Sequence, residues 1–237
     1  MLQVKGNDAK ADVRVPKRAG LYHFAILLPE RKFLADMLEN LNEKRDGVYF
    51  EGMADHLVSE SLYIRDPDFN GIEIYRDTPR SEWSWSGGHV QMATERLDIQ
   101  DLLRERTNQE WKGMPAQTVI GHMHLHVSDL AKALEFYSKI LGLNLTGAFL
   151  GAHFFAADRY HHHVAANTWL GKGIAPASPE KAGLNHFGIE LPASEFKNTL
   201  AHLEGRGMVV KESGDLQDPD GITIRLSSTA IILLASK

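Results

Sequence analysis

The chain of 237 residues contains no cysteine. Disulfides, thiolate metal sites and cysteine nucleophiles are excluded, and a reducing cytoplasm is the expected compartment. No stretch reaches the ~18 consecutive apolar residues that a membrane-spanning helix needs. Met1-Leu2-Gln3-Val4-Lys5-Gly6 lacks the apolar core of a secretion signal, so no membrane partner is expected. Basic residues form no stripe: acids and bases are interspersed and the net charge is −5. Nucleic acid is therefore not an expected partner. What is present is a 43% hydrophobic fraction, enough to fill a core, in a length that suits one large or two small domains. Twelve histidines fall in a few clusters.

The chain repeats itself. Gly20-Leu21-Tyr22-His23-Phe24-Ala25-Ile26 matches Gly183-Leu184-Asn185-His186-Phe187-Gly188-Ile189, and each histidine is followed six residues later by a proline, Pro29 or Pro192. In both copies a helical stretch comes next. An Asp-Pro-Asp turn then precedes a last apolar strand, Asp66-Pro67-Asp68 before Ile72-Glu73-Ile74 and Asp218-Pro219-Asp220 before Ile222-Thr223-Ile224. A further copy opens at Gly121-His122-Met123-His124-Leu125-His126-Val127 and runs into the N-cap pattern Ser128-Asp129-Leu130. Amphipathic spacing predicts helices over Arg31–Asn42, Leu130–Leu141 and Ala193–Gly205. Leu143–Phe149, His153–Ala157 and His163–Thr168, separated by Gly and Asp, read as an antiparallel meander.

The repeating unit is thus βαβββ, and the expected class is α+β, built from repeated modules. Residues 19–78 form the first complete module. Residues 117–237 are expected to be a C-terminal domain in which modules 117–170 and 181–237 pair. Residues 79–116, with Trp83, Trp85 and a short helix near Leu97–Glu105, read as a connector lying against the surface. Residues 1–18 read as the last strand and link of a module otherwise absent, with Met1–Val4 expected beside the strand of Glu73.

The most specific stretch is His56, Leu62-Tyr63, Asp66-Pro67 and Glu73. It resembles the extradiol ring-cleaving dioxygenase pattern of His, five to seven residues, apolar-Tyr, two residues, Asp-Pro and a nearby Glu. It departs at Ala54, where Gly, Asn or Thr is usual, and at Phe69, where Gly normally makes the turn. Asn70-Gly71 stands beside that second departure as a turn dipeptide. Over essentially the whole chain the sequence resembles the vicinal oxygen chelate superfamily of glyoxalases, extradiol dioxygenases and bleomycin or fosfomycin resistance proteins. Within it, the catechol 2,3-dioxygenase-like proteins of Bacillus-type bacteria are the nearest resemblance.

The resemblance implies one divalent metal in a cupped mixed sheet. Its ligands come from the first and last strands of paired modules. His23 and Glu73 take those positions in the first module, His122 and His186 the first-strand positions in the other two. Two neutral imidazoles and one carboxylate on one face leave open positions for substrate and O₂. If Ile72 and Ile74 pack under a helix, Glu73 faces the cup. His56 is then an acid/base, Tyr63 orients the substrate, and His162, in His161-His162-His163, corresponds to the catalytic histidine of extradiol enzymes. The third ligand to the first module's site is expected from the absent module, or from a two-fold 2-His-2-Glu site in a homodimer. Arg225 aligns with Glu73 in the last module, and a guanidinium does not ligate a metal. That half is expected to hold little or no metal, although His122, His124 and His126 share a strand face.

The expected function is that of an extradiol-type dioxygenase acting on a small catechol-like aromatic. The metal is Fe(II), with Mn(II), Ni(II) or Zn(II) as alternatives. Two other readings stay open: a glyoxalase-like metal-dependent lyase or isomerase, and a non-catalytic small-molecule-binding protein.

Overall fold

The computed structural model describes residues 2–6, 17–44, 47–178 and 180–229. The first module contains β2 (Gly20–Leu27), α1 (Arg31–Glu43), β3 (Tyr49–Asp55), β4 (Ser59–Arg65) and β5 (Gly71–Asp77), after a separate strand β1 (Leu2–Gly6). A connector follows with the short hairpin β6 (Trp85–Ser86) and β7 (His89–Val90), then α2 (Ile99–Arg104). The second module contains β8 (Val119–His126), α3 (Leu130–Ala133), β9 (Asn144–Phe149), β10 (Ala152–Ala156) and β11 (Val164–Asn167). The third is shorter: β12 (Leu184–Leu191), α4 (Ala193–Gly205), β13 (Asp215–Gln217) and β14 (Thr223–Ser228).

The α+β class with cupped mixed sheets is as expected, but the modules pair differently. One eight-stranded sheet has the order β3-β4-β5-β2-β8-β11-β10-β9. Each half has its first strand parallel to its last, β2 with β5 and β8 with β11, and β2 meets β8 antiparallel at the centre. The first module therefore joins the second, rather than the second joining the third. The third module and β1 form a separate sheet, β1-β12-β14-β13. The physical reason lies in the strand edges. A first strand has one edge taken by its own last strand, and the other must be covered. β8 covers that edge of β2, and β1 covers that edge of β12. Leu2–Gly6 is accordingly not beside the strand of Glu73.

The core follows the sheet periodicity. On β4 and β5, Leu62, Ile64 and Ile74 face α1, whose Leu34, Ala35, Met37, Leu38 and Leu41 are all buried. Each fully buried leucine or isoleucine among them stabilises by about 1.5–3 kcal/mol. The alternate residues Glu73, Tyr75 and Asp77 consequently face the opposite side. The second and third modules share a core instead of a sheet: Met123, Leu125, Phe136 and Tyr137 pack with Phe187, Leu203, Ile224 and Leu226. Tyr137 Oη donates to Asp218 Oδ2 at 2.8 Å across that boundary.

The predicted helix over Leu130–Leu141 begins as α3, then widens into a π-helical stretch over Leu134–Ile140. The Leu141 N–H bonds Phe136 O, five residues back. The connector also differs from expectation. It does not merely lie on the surface: Trp83, Val90, Leu97 and Leu102 are buried, the last two against α1. Arg31 ties this region together. Its guanidinium donates to Glu60 Oε1 and Oε2 at 2.9 and 2.7 Å, and it pairs with Asp101 and Glu105 of the connector. Arg76 holds the same buried Glu60 at 2.7 Å.

Candidate metal centre

Strand register builds the centre. Across three neighbouring strands Glu73 of β5 is opposite Ala25 of β2, and Ala25 is opposite His122 of β8. Partners across a ladder share a face. Ala25 is fully buried and has only a methyl group, so the carboxylate and the imidazole can converge above it. His23, two residues earlier on β2, shares the face. Its cross-strand partner is Gly71. A Cβ at Gly71 would collide with the Tyr22 carbonyl oxygen and stand 3.1 Å from His23 Cβ. Glycine is therefore required there by close approach, not by turn geometry. The turn itself falls on Phe69, which adopts φ 64° where the dioxygenase pattern has glycine.

His23 Nε2 and His122 Nε2 each lie 3.0 Å from Glu73 Oε2. Ser61 Oγ donates to the other carboxylate oxygen at 2.6 Å. The three potential ligand atoms lie within 4.8 Å of one another, and all three residues are buried. Burial opposes ionisation of Glu73, but His122 and His23 together outweigh it and hold the carboxyl well below its usual range. Burial pushes His122 down to about 4. At neutral pH the set is thus a carboxylate facing a neutral imidazole and a second imidazole. His23 Nε2 has no hydrogen-bond partner of good geometry. An orphaned imidazole nitrogen aimed at a buried carboxylate fits a divalent cation, which needs deprotonated ligands. The donor set is the 2-His-1-carboxylate arrangement.

His122 of the same chain thus stands as the third candidate ligand, where an absent module or a second subunit was expected to supply one. His186 is not brought to this cluster. It lies on β12 in the other sheet, with Nδ1 2.9 Å from Asn185 Oδ1. Arg225, two strands from β1 in that sheet, is held by Asp215 at 2.6 and 2.9 Å.

A cavity of about 420 Å³ opens above the centre, lined in part by His23, Glu73, His56, Tyr63, His124 and His162. Tyr63 is the ladder partner of Glu73 on its far side. Its hydroxyl lies 2.7 Å from His56 Nε2, while His56 Nδ1 lies 2.7 Å from Ala93 O. A carbonyl only accepts, so His56 Nδ1–H donates to it. In the neutral ring Nε2 then accepts from Tyr63. Burial and the nearby Glu73 raise the Tyr63 phenol well above its ordinary value, which keeps it protonated. The His162 ring sits 4.1 Å from that of His122, and burial holds it well below the usual imidazole range.

Several contributors escaped the sequence reading. Ser61 lies two residues before Tyr63 on the same strand, so strand alternation pointed to it. Met92, Ala93 and Thr94 line the cavity from the connector, and no local pattern marked them.

This fold and centre define the class, and the comparisons agree. The chain belongs to the glyoxalase/bleomycin resistance/dioxygenase superfamily. Residues 119–226 match the family model described as Glyoxalase/Bleomycin resistance protein/Dioxygenase superfamily. Over 195 residues, the chain is 43% identical to the catechol-2,3-dioxygenase of Bacillus subtilis (strain 168), covering 80% of this chain and 67% of that protein. A solved Bacillus subtilis structure, provisionally described as a dioxygenase, superposes with TM-score 0.54 at 10% identity, over 90% of this chain and 65% of that one. Glyoxalase I from Zea mays superposes with TM-score 0.51 at 15% identity, over 88% of this chain and 67% of that one. The chain therefore spans about two thirds of the length of these relatives. Among the described residues no helix is long and apolar enough to cross a membrane.

Proposed function

We propose that this chain is an extradiol-type ring-cleaving dioxygenase that takes a small catechol-like aromatic. The observation that carries the reading is the convergence of His23, Glu73 and His122 beneath a cavity whose wall holds the His56–Tyr63 pair and His162. The 43% identity to a catechol-2,3-dioxygenase supports the same reading. The site takes Fe(II) in preference to Mn(II), Ni(II) or Zn(II), because the 2-His-1-carboxylate set with open positions is the ligand pattern of non-haem iron oxygenases. Bound there, the metal supplies Lewis acidity and redox chemistry toward the two vicinal oxygens of the substrate and O₂.

The chain's own residues supply the rest. His162 accepts or returns a substrate hydroxyl proton, because its ring borders both the cavity and His122. Tyr63 hydrogen-bonds an oxygen near Glu73, and His56 holds that phenol in place through its bond to the connector carbonyl. Tyr22, Phe149, Phe154 and Trp169 give the cavity an aromatic wall suited to a flat ring.

The test is anaerobic reconstitution with Fe(II), followed by O₂ uptake with catechol, for the parent and for Glu73→Ala. Near-stoichiometric iron, one O₂ consumed per catechol and appearance of the ring-opened aldehyde-acid are expected, all lost in the variant. Stoichiometric iron with no O₂ uptake on any catechol would overturn the dioxygenase reading in favour of an O₂-independent lyase or isomerase. No iron in either protein would overturn the metal centre.

A further inference from the structure

Beyond Glu73 on the same face of β5 lies a second carboxylate, Asp77, which reaches across the module boundary. Its Oδ1 is 2.9 Å from His161 Nε2, and its Oδ2 accepts from Tyr160 Oη at 2.9 Å. His161 Nδ1 is in turn 2.8 Å from His162 Nδ1. His161 is fully buried, whereas the Asp77 side chain is 22% exposed. The three side chains form an unbroken line from solvent-accessible carboxylate to cavity wall.

The hydrogen-bond inventory allows one assignment for a neutral pair. A carboxylate only accepts, so His161 Nε2–H is the donor. A neutral imidazole has one ring proton, which leaves His161 Nδ1 as an acceptor. His162 Nδ1 must then be the donor, and its own single proton is spent. His161 is packed against the rings of Tyr160 and Trp83, at 4.1 and 5.3 Å.

We infer that Asp77 is a positioning residue that fixes the tautomers of His161 and His162, so that His162 meets the cavity with an unprotonated Nε2. The group offered to the ligand is then a hydrogen-bond acceptor and base, suited to a hydroxyl-bearing substrate. The role of this acceptor in turnover rests on the dioxygenase reading, but the tautomer does not. Second carboxylates that orient an imidazole in this way act by setting which nitrogen is protonated.

The experiment is two-bond ¹⁵N–¹H correlation NMR on metal-free protein labelled with ¹⁵N-histidine, without substrate, with the His162 signals assigned from His162→Gln. In the parent, His162 is expected in the Nδ1–H form and His161 in the Nε2–H form. Asp77→Ala removes the acceptor, and the Nδ1–H form of His162 is expected to lose its dominance. Tyr160→Phe keeps the carboxylate and is expected to leave both tautomers as in the parent. Three results would overturn the inference: His162 protonated on Nε2 in the parent, His161 doubly protonated at neutral pH, or an Asp77→Ala spectrum with the parent tautomers. If Asp77→Ala does not fold, the parent spectrum still decides. Failure of catechol turnover would leave this result untouched, and a wrong tautomer would leave the iron and O₂ measurements standing.

Discussion

Gly71→Ala tests whether strand packing, and not only ligand identity, sets the metal centre. The added methyl lands on the Tyr22 carbonyl oxygen, inside the 3.0 Å that a Cβ keeps from other atoms, and 3.1 Å from His23 Cβ. Neither neighbour can give way alone, because one is backbone and the other begins a ligand side chain. β2 must therefore move by several tenths of an ångström and carry His23 with it. Metal–ligand distances tolerate about 0.2 Å. The expected loss of metal affinity is about ten- to a hundredfold, comparable with displacing the groups that orient a ligand. Overpacking costs about 1–3 kcal/mol, which lowers the melting temperature of a chain this size by about 2–12 °C. The assays are iron per chain against free Fe(II) under anaerobic conditions, and a thermal melt of the metal-free protein. Gly205→Ala is the control, since nothing lies within 4 Å of its added methyl. It lies in α4 and is expected to be neutral or stabilising by up to about 1 kcal/mol. Parent-like iron binding and melting in Gly71→Ala would refute the argument that close approach of β5 to β2 positions His23.

Further outcomes follow from the same geometry. His56→Ala frees the Tyr63 phenol from its partner and is expected to cut catechol turnover about ten- to a hundredfold, with iron content unchanged, because His56 contacts Tyr63 and Ala93 but no ligand atom; loss of iron would show instead a role in building the centre. Glu60→Ala leaves the Arg31 and Arg76 guanidinia without their shared partner and is expected to cost about 3 kcal/mol in urea unfolding, a value near zero meaning that solvent already screens the cluster. Burial lowers His163 from about 6.5 in the unfolded chain to about 4 in the fold. The unfolded chain then binds more protons between these values, so stability from this group is full above about pH 6.5 and is lost as pH falls toward 4. The loss is about 1–3 kcal/mol after allowance for partial exposure, and His163→Gln is expected to flatten this part of the stability profile of the metal-free protein; an identical profile in parent and variant would contradict it.

The fold was legible where periodicity was strong. The helices over 31–43 and 193–205 and the strand of Glu73 between two isoleucines follow from local spacing. Glu73 faces the cavity because Ile74 faces α1, which strand parity alone requires. The pairing of modules was not legible, because each first strand offers an equivalent free edge and local sequence does not say which neighbour takes it. That is why His122 was placed in a separate half although it stands opposite Ala25, two strands from Glu73. The role of Ala25 was invisible for the same reason: a methyl between two converging side chains acquires meaning only from register. Asp77 was within reach, four residues after Glu73 on one strand face, but its partners Tyr160 and His161 lie 83 and 84 residues further along the chain.

The antiparallel contact between β2 and β8 joins two repeats, and the candidate ligands stand on both sides of it. A cation held there would be a clasp between halves, coupling the cohesion of the eight-stranded sheet to occupancy. Neither repeat alone contains the complete donor set, so cutting the chain between them would divide the centre even if each fragment kept its shape. Amide exchange along this seam would then report metal occupancy from the backbone, slowing most at the residues that bridge the repeats.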